Sequence, residues 1–360
     1  MKVLMLLIDY FLIFSAIFVT DKKIAEFPLF FLVWICTLFR RDKFYKGELA
    51  SQAGLIILSP LFIRGIFVSS DPSYYYFYFQ AICFVNTIPL IFQFLKKYHL
   101  KQIIIVSIIF LLITVFGVME FVLSSGGRGR FIFGPNMTYR VLAFFYGLLL
   151  CCLYINDGYK FKFSILFTGS TFVFLIGMLL TGSRGAILVV TIYIVTILLF
   201  SKKSKLFING LIAISVFIAF IVIYNWDVFE LIFRRSFYFN IENNSENYRF
   251  LKWTMALNFL NDDRVIFGLT NDNNLLSYYP HNIFLELLFY FGLFPLLIFT
   301  LGFACYIAKF KDLFILNLIF LGTFVGSLLS GNLQYNYPVI SILTVCIFLM
   351  FGQKRKFGIY

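Results

Sequence analysis

Charged side chains are scarce in this chain of 360 residues. Asp, Glu, Lys and Arg together make up 13% of it, whereas a soluble globular domain has about 25%. Hydrophobic residues make up 61% and aromatic residues 21%. This composition excludes an ordinary soluble domain and indicates a protein that lies largely in lipid.

Residue types that bind metals or nucleotides are equally few. The chain has two histidines, and its six cysteines all lie inside apolar runs, which supports neither a disulfide framework nor a zinc site. It has no Gly-x-x-x-x-Gly-Lys-Ser/Thr nucleotide loop and no Asp-x-Asp motif. The sequence therefore predicts no metal, no cofactor and no ATP-driven step. The net charge of +13 lies in short loops between apolar runs, where membrane orientation and lipid headgroups explain it better than nucleic acid does.

Apolar runs recur from one end of the chain to the other. A helix of about 20 apolar residues crosses a hydrocarbon layer of about 30 Å, and these runs lack the alternation of barrel strands. The sequence predicts an all-α polytopic membrane protein with about 12 transmembrane helices. The first apolar run has a thin basic start and no small-residue cleavage site, so we expect a retained helix rather than a signal peptide. The predicted spans are residues 3–20, 27–39, 49–68, 74–95, 102–123, 139–156, 163–181, 184–200, 205–224, 283–308, 312–330 and 336–352.

The basic residues predict how the chain is oriented and divided. One set of loops, with the termini, holds 18 of the 30 lysines and arginines, so we expect this side to be cytoplasmic. Residues 1–224 would then carry helices 1–9, residues 225–282 a large periplasmic loop, and residues 283–360 helices 10–12 with a cytoplasmic tail. The inner set has three arginines and fifteen lysines, but the outer set has nine arginines and three lysines. Because the guanidinium fork matches phosphate oxygens, the outer face suggests an anionic ligand, most simply a phosphate. The alternative is that the outer arginines extend to lipid headgroups.

Two outer segments before the large loop carry candidate phosphate ligands. The glycine-rich loop 124–136 holds Arg128 and Arg130, with Arg140 about one turn into the next span. Its glycines allow the backbone to approach an anion closely, although such a loop is also typical of a solvated linker. The turn 181–185 joins two spans almost directly, so Arg184 lies at the membrane surface or within it. An arginine there either has a functional partner or reaches out to headgroups.

The predicted periplasmic loop carries the remaining candidates. Residues 246–260 have apolar spacing typical of an amphipathic helix, with Arg249 and Lys252 on its polar side. Such a helix lies on the outer leaflet, caps the bundle, or serves only as a packing lid. His281 is the obvious acid or base near neutral pH, and the alternative is a helix cap. The other candidates are Arg234, Arg235, Asn282, the acids Glu120 and Glu286, and, for close helix packing, Gly322 and Gly326.

Four short motifs together resemble the bacterial O-antigen ligase and polymerase superfamily. The stretch 181–186 resembles its Ser-Arg-Gly signature, and Arg249 with Trp253 resembles its Arg-x-x-x-Trp. The segment 280–293, Pro-His-Asn-Ile-Phe-Leu-Glu followed by Phe-Gly-Leu, is similar to its His-Asn, Leu-Glu and Phe-Gly-Leu stretch. The Phe-Gly-Pro-Asn sequence 133–136 resembles a loop common among the polymerases. One departure is that relatives often carry Gly-x-Gly after the tryptophan, where this chain has only Gly268.

The resemblance implies a metal-independent, inverting glycosyltransferase of the GT-C type in the bacterial inner membrane. Its donor would be an undecaprenyl-pyrophosphate-linked oligosaccharide, with membrane lipids around it and a chain-length regulator and a flippase as partners. Arg184, Arg249 and His281 would be catalytic. Substrate-binding residues would be Arg128, Arg130, Arg140, Arg234, Arg235, Asn282 and Glu286.

Three other functions remain open at the level of sequence. A ligase would transfer the glycan to lipid A core rather than to another repeat unit. The Phe-Gly-Pro-Asn loop and the wealth of Phe, Ile, Lys and Asn favour polymerase. A flippase or transporter of lipid-linked sugars would show two related halves and broken helices near mid-membrane. In this sequence the halves show no similarity, and the polar residues gather at one surface. A structural scaffold would tolerate the loss of Arg184 and His281.

Overall fold

A computed structural model gives the structure of most of the chain. It describes residues 2–18, 27–40, 46–68, 76–125, 129–131, 134–155, 160–200, 212, 244–261, 263–268, 282–309, 313–329 and 336–351. All regular secondary structure in these ranges is helical, and the predicted all-α class is confirmed. The early helices are α1 Lys2–Phe18, α2 Phe27–Arg40, α3 Lys46–Val68, α4 Phe77–Phe84, α5 Thr87–Lys97, α6 Leu100–Ser125, α7 Pro135–Ile155, α8 Lys160–Leu180 and α9 Arg184–Phe200. The later helices are α10 Asn244–Asn258, α11 Ile283–Phe291, α12 Leu293–Ala308, α13 Phe314–Leu329 and α14 Tyr337–Phe351.

The helices follow the predicted spans with two interruptions. The span 74–95 is divided between α4 and α5 by a turn at Val85 and Asn86. The span 283–308 is divided at Gly292, whose φ is +89°. The predicted span 205–224 lies outside the described residues, apart from residue 212.

Several helices have membrane character. Within the described residues, three stretches are long and apolar enough to cross a membrane: Phe77–Lys97, Leu100–Ser125 and Pro135–Ile155. Shorter apolar helices of 10–17 residues accompany them. The chain therefore has the character of an integral membrane protein.

The first of two compact units contains Met1–Lys97, Ile241–Asp312 and Ser327–Tyr360. In it α1 packs on α2 and α5, while α14 packs on α3, α4 and α12. An ion cluster around the buried Asp9 joins α1, α2 and α5. Arg40 donates to both oxygens of Asp9 over 2.6 and 3.0 Å, and Lys97 Nζ lies 3.7 Å from Asp9. Because Asp9 is only 2% exposed, these cations compensate its loss of water.

The second unit contains Tyr98–Asn240 and Leu313–Gly326. Its centre is α7, which is buried along almost its whole length and packs against α6, α8 and α9. Helix α13 also approaches α7 closely, because a β-carbon at Gly147 would lie 2.1 Å from the carbonyl oxygen of Leu318. The Tyr193 hydroxyl of α9 lies 3.0 Å from the carbonyl oxygen of Ala143 and 2.5 Å from that of Leu318, and so joins three helices.

Candidate functional site

The turn that carries Arg184 is short and well ordered by hydrogen bonds. The hydroxyl of Thr181 donates to the Met178 carbonyl over 2.7 Å, and the Gly182 amide donates to the Leu179 carbonyl over 2.9 Å. Gly182 has a φ of +56°, a left-handed conformation that glycine adopts without steric cost. Arg184 is therefore the first residue of α9, directly after the turn, and its side chain is half-buried.

The loop before α7 lies against this turn. The Gly129 amide donates to the Leu180 carbonyl over 3.0 Å, and a β-carbon at Gly129 would lie 2.3 Å from that oxygen. The Ser183 hydroxyl donates to Oδ1 of Asn136 over 3.2 Å. Two of the four motifs that suggested the family, the Ser-Arg-Gly turn and the Phe-Gly-Pro-Asn loop, thus meet through side chains.

Helices α7 and α9 approach each other beside these motifs. A β-carbon at Gly185 would lie 2.8 Å from the hydroxyl oxygen of Tyr139, which is fully buried. The motif glycine thus leaves room for a tyrosine hydroxyl. We call residues 129–140, 180–186 and 322–326 the Arg184 end of the second unit.

Arg130 and Arg140 occupy different environments at the Arg184 end. Arg130 is exposed, and its guanidinium carbon lies 4.4 Å from the centroid of the Phe121 ring. Arg140 is only 1% exposed. Because a β-carbon at Gly326 would lie 2.2 Å from its Nε, the Arg140 guanidinium packs directly on α13. Arg140 lies about one turn into a helix, as the sequence predicts, since α7 begins at Pro135 and carries this residue into the core.

The charge at the Arg184 end favours anions. Among the described residues of the second unit, Glu120 is the only acidic residue, and it is exposed on α6. Arg130, Arg140 and Arg184 lie near the amino-terminal ends of α7 and α9, where backbone amides add partial positive charge. These cations and helix ends favour a negative charge over a positive one at the Arg184 end.

In the first unit, two backbone segments cross in direct contact, and each has a motif glycine at the crossing. A β-carbon at Gly268, which has a φ of +74°, would lie 2.5 Å from the carbonyl carbon of Tyr290. One at Gly292 would lie 2.2 Å from the carbonyl oxygen of Ile266. The glycine after the Arg-x-x-x-Trp motif and the Phe-Gly-Leu glycine are therefore partners in one crossing.

The helix after the His-Asn motif is capped and anchored by Asn282. Its Oδ1 accepts the amides of Phe284 and Leu285 over 3.0 and 3.3 Å, as expected of an N-cap. Its Nδ2 donates to the Leu328 carbonyl over 3.0 Å. Glu286 lies in the first turn of the same helix and is fully buried.

Helix α10 confirms the expected helix in residues 246–260, but its faces differ from those expected. Lys252 is buried, on the same face as Ala256 and Phe259, and the last two pack on α11. Leu251 and Leu257 are 51% and 53% exposed. The expectation that Lys252 lies on a polar side of this helix was wrong, because α11 packs against the face that Lys252 shares with Ala256 and Phe259.

The remaining candidates lie wholly or partly outside the described residues. Arg128, Arg234, Arg235 and His281 lie outside the described residues, as does the side chain of Arg249, although its backbone is part of α10. Arg184 belongs to the second unit and Arg249 to the first.

Sequence reasoning missed Tyr139 and Asp9, and it included Ser183 only as part of the Ser-Arg-Gly motif. Asp9 had a usable signal, since it is the only charged residue within the first apolar run. Tyr139 had none, because apolar helices commonly contain tyrosine.

The chain matches one known sequence family. Residues 169–300 match the family described as O-antigen ligase. This segment includes the Arg184 turn, α10, the crossing of Gly268 with Gly292, and the cap at Asn282. No curated protein matches the chain. The match confirms that residues 169–300 of this chain resemble the O-antigen ligase and polymerase superfamily, whose members carry out glycosyl transfer of the ligase type.

Proposed function

We propose that this protein is an O-antigen polymerase, which joins undecaprenyl-pyrophosphate-linked oligosaccharide repeat units at the periplasmic face of the inner membrane. The observation that carries the proposal is the position of the family match, because residues 169–300 include Arg184, Arg249 and His281 together. The excess of arginine at the Arg184 end supports it, since the donor carries a pyrophosphate.

The proposed reaction is a single displacement at the anomeric carbon of the donor sugar. The acceptor hydroxyl oxygen forms a bond to that carbon as the bond from the carbon to the pyrophosphate oxygen breaks. The electron pair of the broken bond leaves with undecaprenyl pyrophosphate, and His281 takes the hydroxyl proton. Attack opposite to the leaving group inverts the anomeric centre. Cleavage of the sugar–pyrophosphate bond supplies the driving force, so no nucleotide is required. The arginines would stabilise the leaving charge without a metal.

Arginines have the central role in this mechanism. Arg184 and Arg249 would hold the donor pyrophosphate and stabilise the charge that develops on it as it leaves. Arg128, Arg130, Arg234 and Arg235 would add contacts to phosphate or glycan. Asn282 and Glu286 would act from the first turn of α11 and its cap, beside His281 in the sequence.

The proposed topology places this chemistry outside the cell's cytoplasm. Residues 1–224 would form helices 1–9, residues 225–282 the periplasmic loop, and residues 283–360 helices 10–12. Both termini would be cytoplasmic. A flippase would deliver the repeat units, and a chain-length regulator would act on the product.

A ligase is the second candidate, because the matching family is described by that activity. The two enzymes share the donor and differ in the acceptor, which is lipid A core for a ligase. The Phe-Gly-Pro-Asn loop supports polymerase, and its Asn136 contacts the Arg184 turn through Ser183.

Glycan banding in a deletion strain separates the two activities. Loss of a polymerase leaves single repeat units on lipid A core, so we expect the ladder to collapse to one short band. Loss of a ligase leaves long chains on undecaprenyl pyrophosphate and none on lipid A core, which would contradict the proposal. Complementation with His281→Ala should fail to restore the ladder, whereas His99→Ala, which changes the only other histidine, should restore it.

A further inference from the structure

The turn that leads to Gly268 exposes two large apolar side chains. A short 3-10 helix, Asp263–Ile266, follows α10, and Ile266 and Phe267 are 56% and 61% exposed. The Arg264 carbonyl accepts the amides of Phe267 and Gly268 over 3.0 and 2.8 Å. We call residues 263–268 the Phe267 turn. Its last two amides are thus bonded within the turn itself, although its apolar side chains are uncovered.

The Phe267 turn lies against the start of α12. A β-carbon at Gly292 would lie 2.2 Å from the carbonyl oxygen of Ile266, and Val265 and Leu296 pack on the same buried cluster. Just beyond Gly292, α12 has exposed apolar residues at helical spacing, namely Phe294, Leu297 and Leu301. Because α12 is an apolar helix of a membrane protein, this stripe faces lipid. The exposed side chains of the turn therefore adjoin the lipid-facing stripe of α12.

The helical segment just before the turn has three different sides. Phe259 is on the buried side, which packs on α11. Thr254 and Asn258 are exposed and, by helical spacing, lie on the opposite side. Leu257 and Leu260 are also exposed and lie between these two sides. This distribution is typical of a helix at a membrane surface, with one side on protein, one in water and one toward lipid.

Lipid fits the exposed apolar surface better than water does. A contiguous apolar patch on a protein surface marks a contact with a partner or a membrane. A segment that enters lipid needs its backbone amides bonded internally, and the amides of Phe267 and Gly268 are. Asp263 and Arg264, at the start of the turn, are exposed, which suits the polar headgroup layer above the acyl chains.

We propose that the Phe267 turn is inserted into the membrane, with Ile266 and Phe267 among the lipid acyl chains at one surface of the bilayer. The polar side of α10, with Thr254 and Asn258, stays in water. The lipid contact fixes the depth in the bilayer of the backbone crossing at Gly292. This inference goes beyond the proposed function, because it holds whichever glycosyl transfer the protein carries out.

The test measures how deep a nitroxide spin label lies at position 267. Phe267→Cys is made in a Cys36→Ser background, since the other five cysteines are buried. The labelled full-length protein is placed in nanodiscs of phosphatidylethanolamine and phosphatidylglycerol. Collisions of the label with oxygen, which concentrates in lipid, are compared with collisions with a polar nickel chelate, which stays in water.

Two matched variants give the reference values for lipid and for water. Leu297→Cys lies on the lipid-facing stripe of α12, and Thr254→Cys lies on the polar side of α10. We expect the label at 267 to favour oxygen as the label at 297 does, at a depth of about 5–10 Å below the headgroups. The label at 254 should favour the nickel chelate.

Two results would overturn the inference. A preference for the nickel chelate at 267 equal to that at 254 places the turn in water. An immobilised label that neither reagent reaches shows that protein, from this chain or a second copy, covers the turn. Size-exclusion profiles check that each variant is folded, and Ile266→Cys provides the same test if Phe267→Cys is not. Absence of elongation by the wild-type protein would contradict the proposed function and leave the collision result unchanged.

Discussion

The motif glycines of the two units contact different kinds of atoms. In the first unit, Gly268 and Gly292 allow one backbone to cross another, with carbonyl groups where a β-carbon would lie. In the second unit, Gly185 and Gly326 make room for the polar ends of Tyr139 and Arg140. Backbone cannot move aside for a methyl group, whereas the end of a side chain can. The comparison teaches that Gly268 and Gly292 are required by a backbone crossing, whereas Gly185 and Gly326 leave space for polar side-chain ends.

The largest effect should come from Arg184, which tests whether the second unit carries the chemistry. Arg184→Ala removes a cation proposed to stabilise the leaving pyrophosphate, so we expect a loss of about 100- to 1,000-fold in chain elongation. The amount of folded protein should not change, because this side chain is only half-buried. Lys101→Ala, an exposed charge in the same unit, is the control for elongation in membranes. Full elongation by Arg184→Ala would remove Arg184 from the mechanism.

The next effect should come from Gly292, which tests the first unit's backbone crossing. Alanine at this position meets both an unfavourable φ of +89° and the Ile266 carbonyl at 2.2 Å. We expect a cost of about 3 kcal/mol or more, measured as loss of folded protein in size-exclusion profiles. Gly169→Ala lies within α8 with no neighbour within 4 Å, so it should be neutral or stabilising by about 0.5–1 kcal/mol. Equal size-exclusion profiles for Gly292→Ala and Gly169→Ala would show that the backbone crossing does not require glycine.

A smaller effect should come from the ion cluster, which tests how the first unit is held together away from the motifs. Arg40→Ala leaves the Asp9 carboxylate buried without its two hydrogen bonds, which should cost about 2–3 kcal/mol. Lys97→Ala should cost less than about 1 kcal/mol, since Lys97 is 42% exposed and lies 3.7 Å away. Melting temperatures in detergent measure both. The reverse order would assign the cluster's stability to Lys97.

The smallest effect should come from Ser183, which tests the contact between two motifs of the second unit. Ser183→Ala removes the bond to Asn136 and should cost about 1 kcal/mol. The exposed Thr191 bonds only within its own helix, so Thr191→Ala should have almost no effect on the melting temperature. A double-mutant cycle with Asn136→Ala measures the coupling. Additive losses would show that the two motifs do not stabilise each other.

Much of the fold could be predicted because hydropathy reports burial in lipid directly. The predicted span 102–123 corresponds to α6, and the Arg184 turn joins two helices as expected. The break at Gly292 could not be predicted, since the apolar run is continuous there and the cause is a crossing with a segment 24 residues earlier. The order of the helices can thus be predicted from the local sequence, whereas the interruptions within helices depend on tertiary contacts.

The anion site inferred from the excess of outer arginines stays a prediction. The environments of several candidates could not be predicted, although Arg184 follows the expected turn as the first residue of α9. The burial of Arg140 and Lys252 could not be read from spacing, because each depends on the neighbouring helix that packs against it. The pair Gly322 and Gly326 showed the same limit, since identical residues at helical spacing meet different partners.

The most direct test is elongation by the purified protein in detergent, with undecaprenyl-pyrophosphate-linked repeat units as both donor and acceptor and with a chelator present. We predict products longer by whole repeat units, together with release of undecaprenyl pyrophosphate and without any nucleotide. Folded protein that leaves the repeat units unchanged would contradict the account and favour transport. Transfer to added lipid A core alone would favour a ligase.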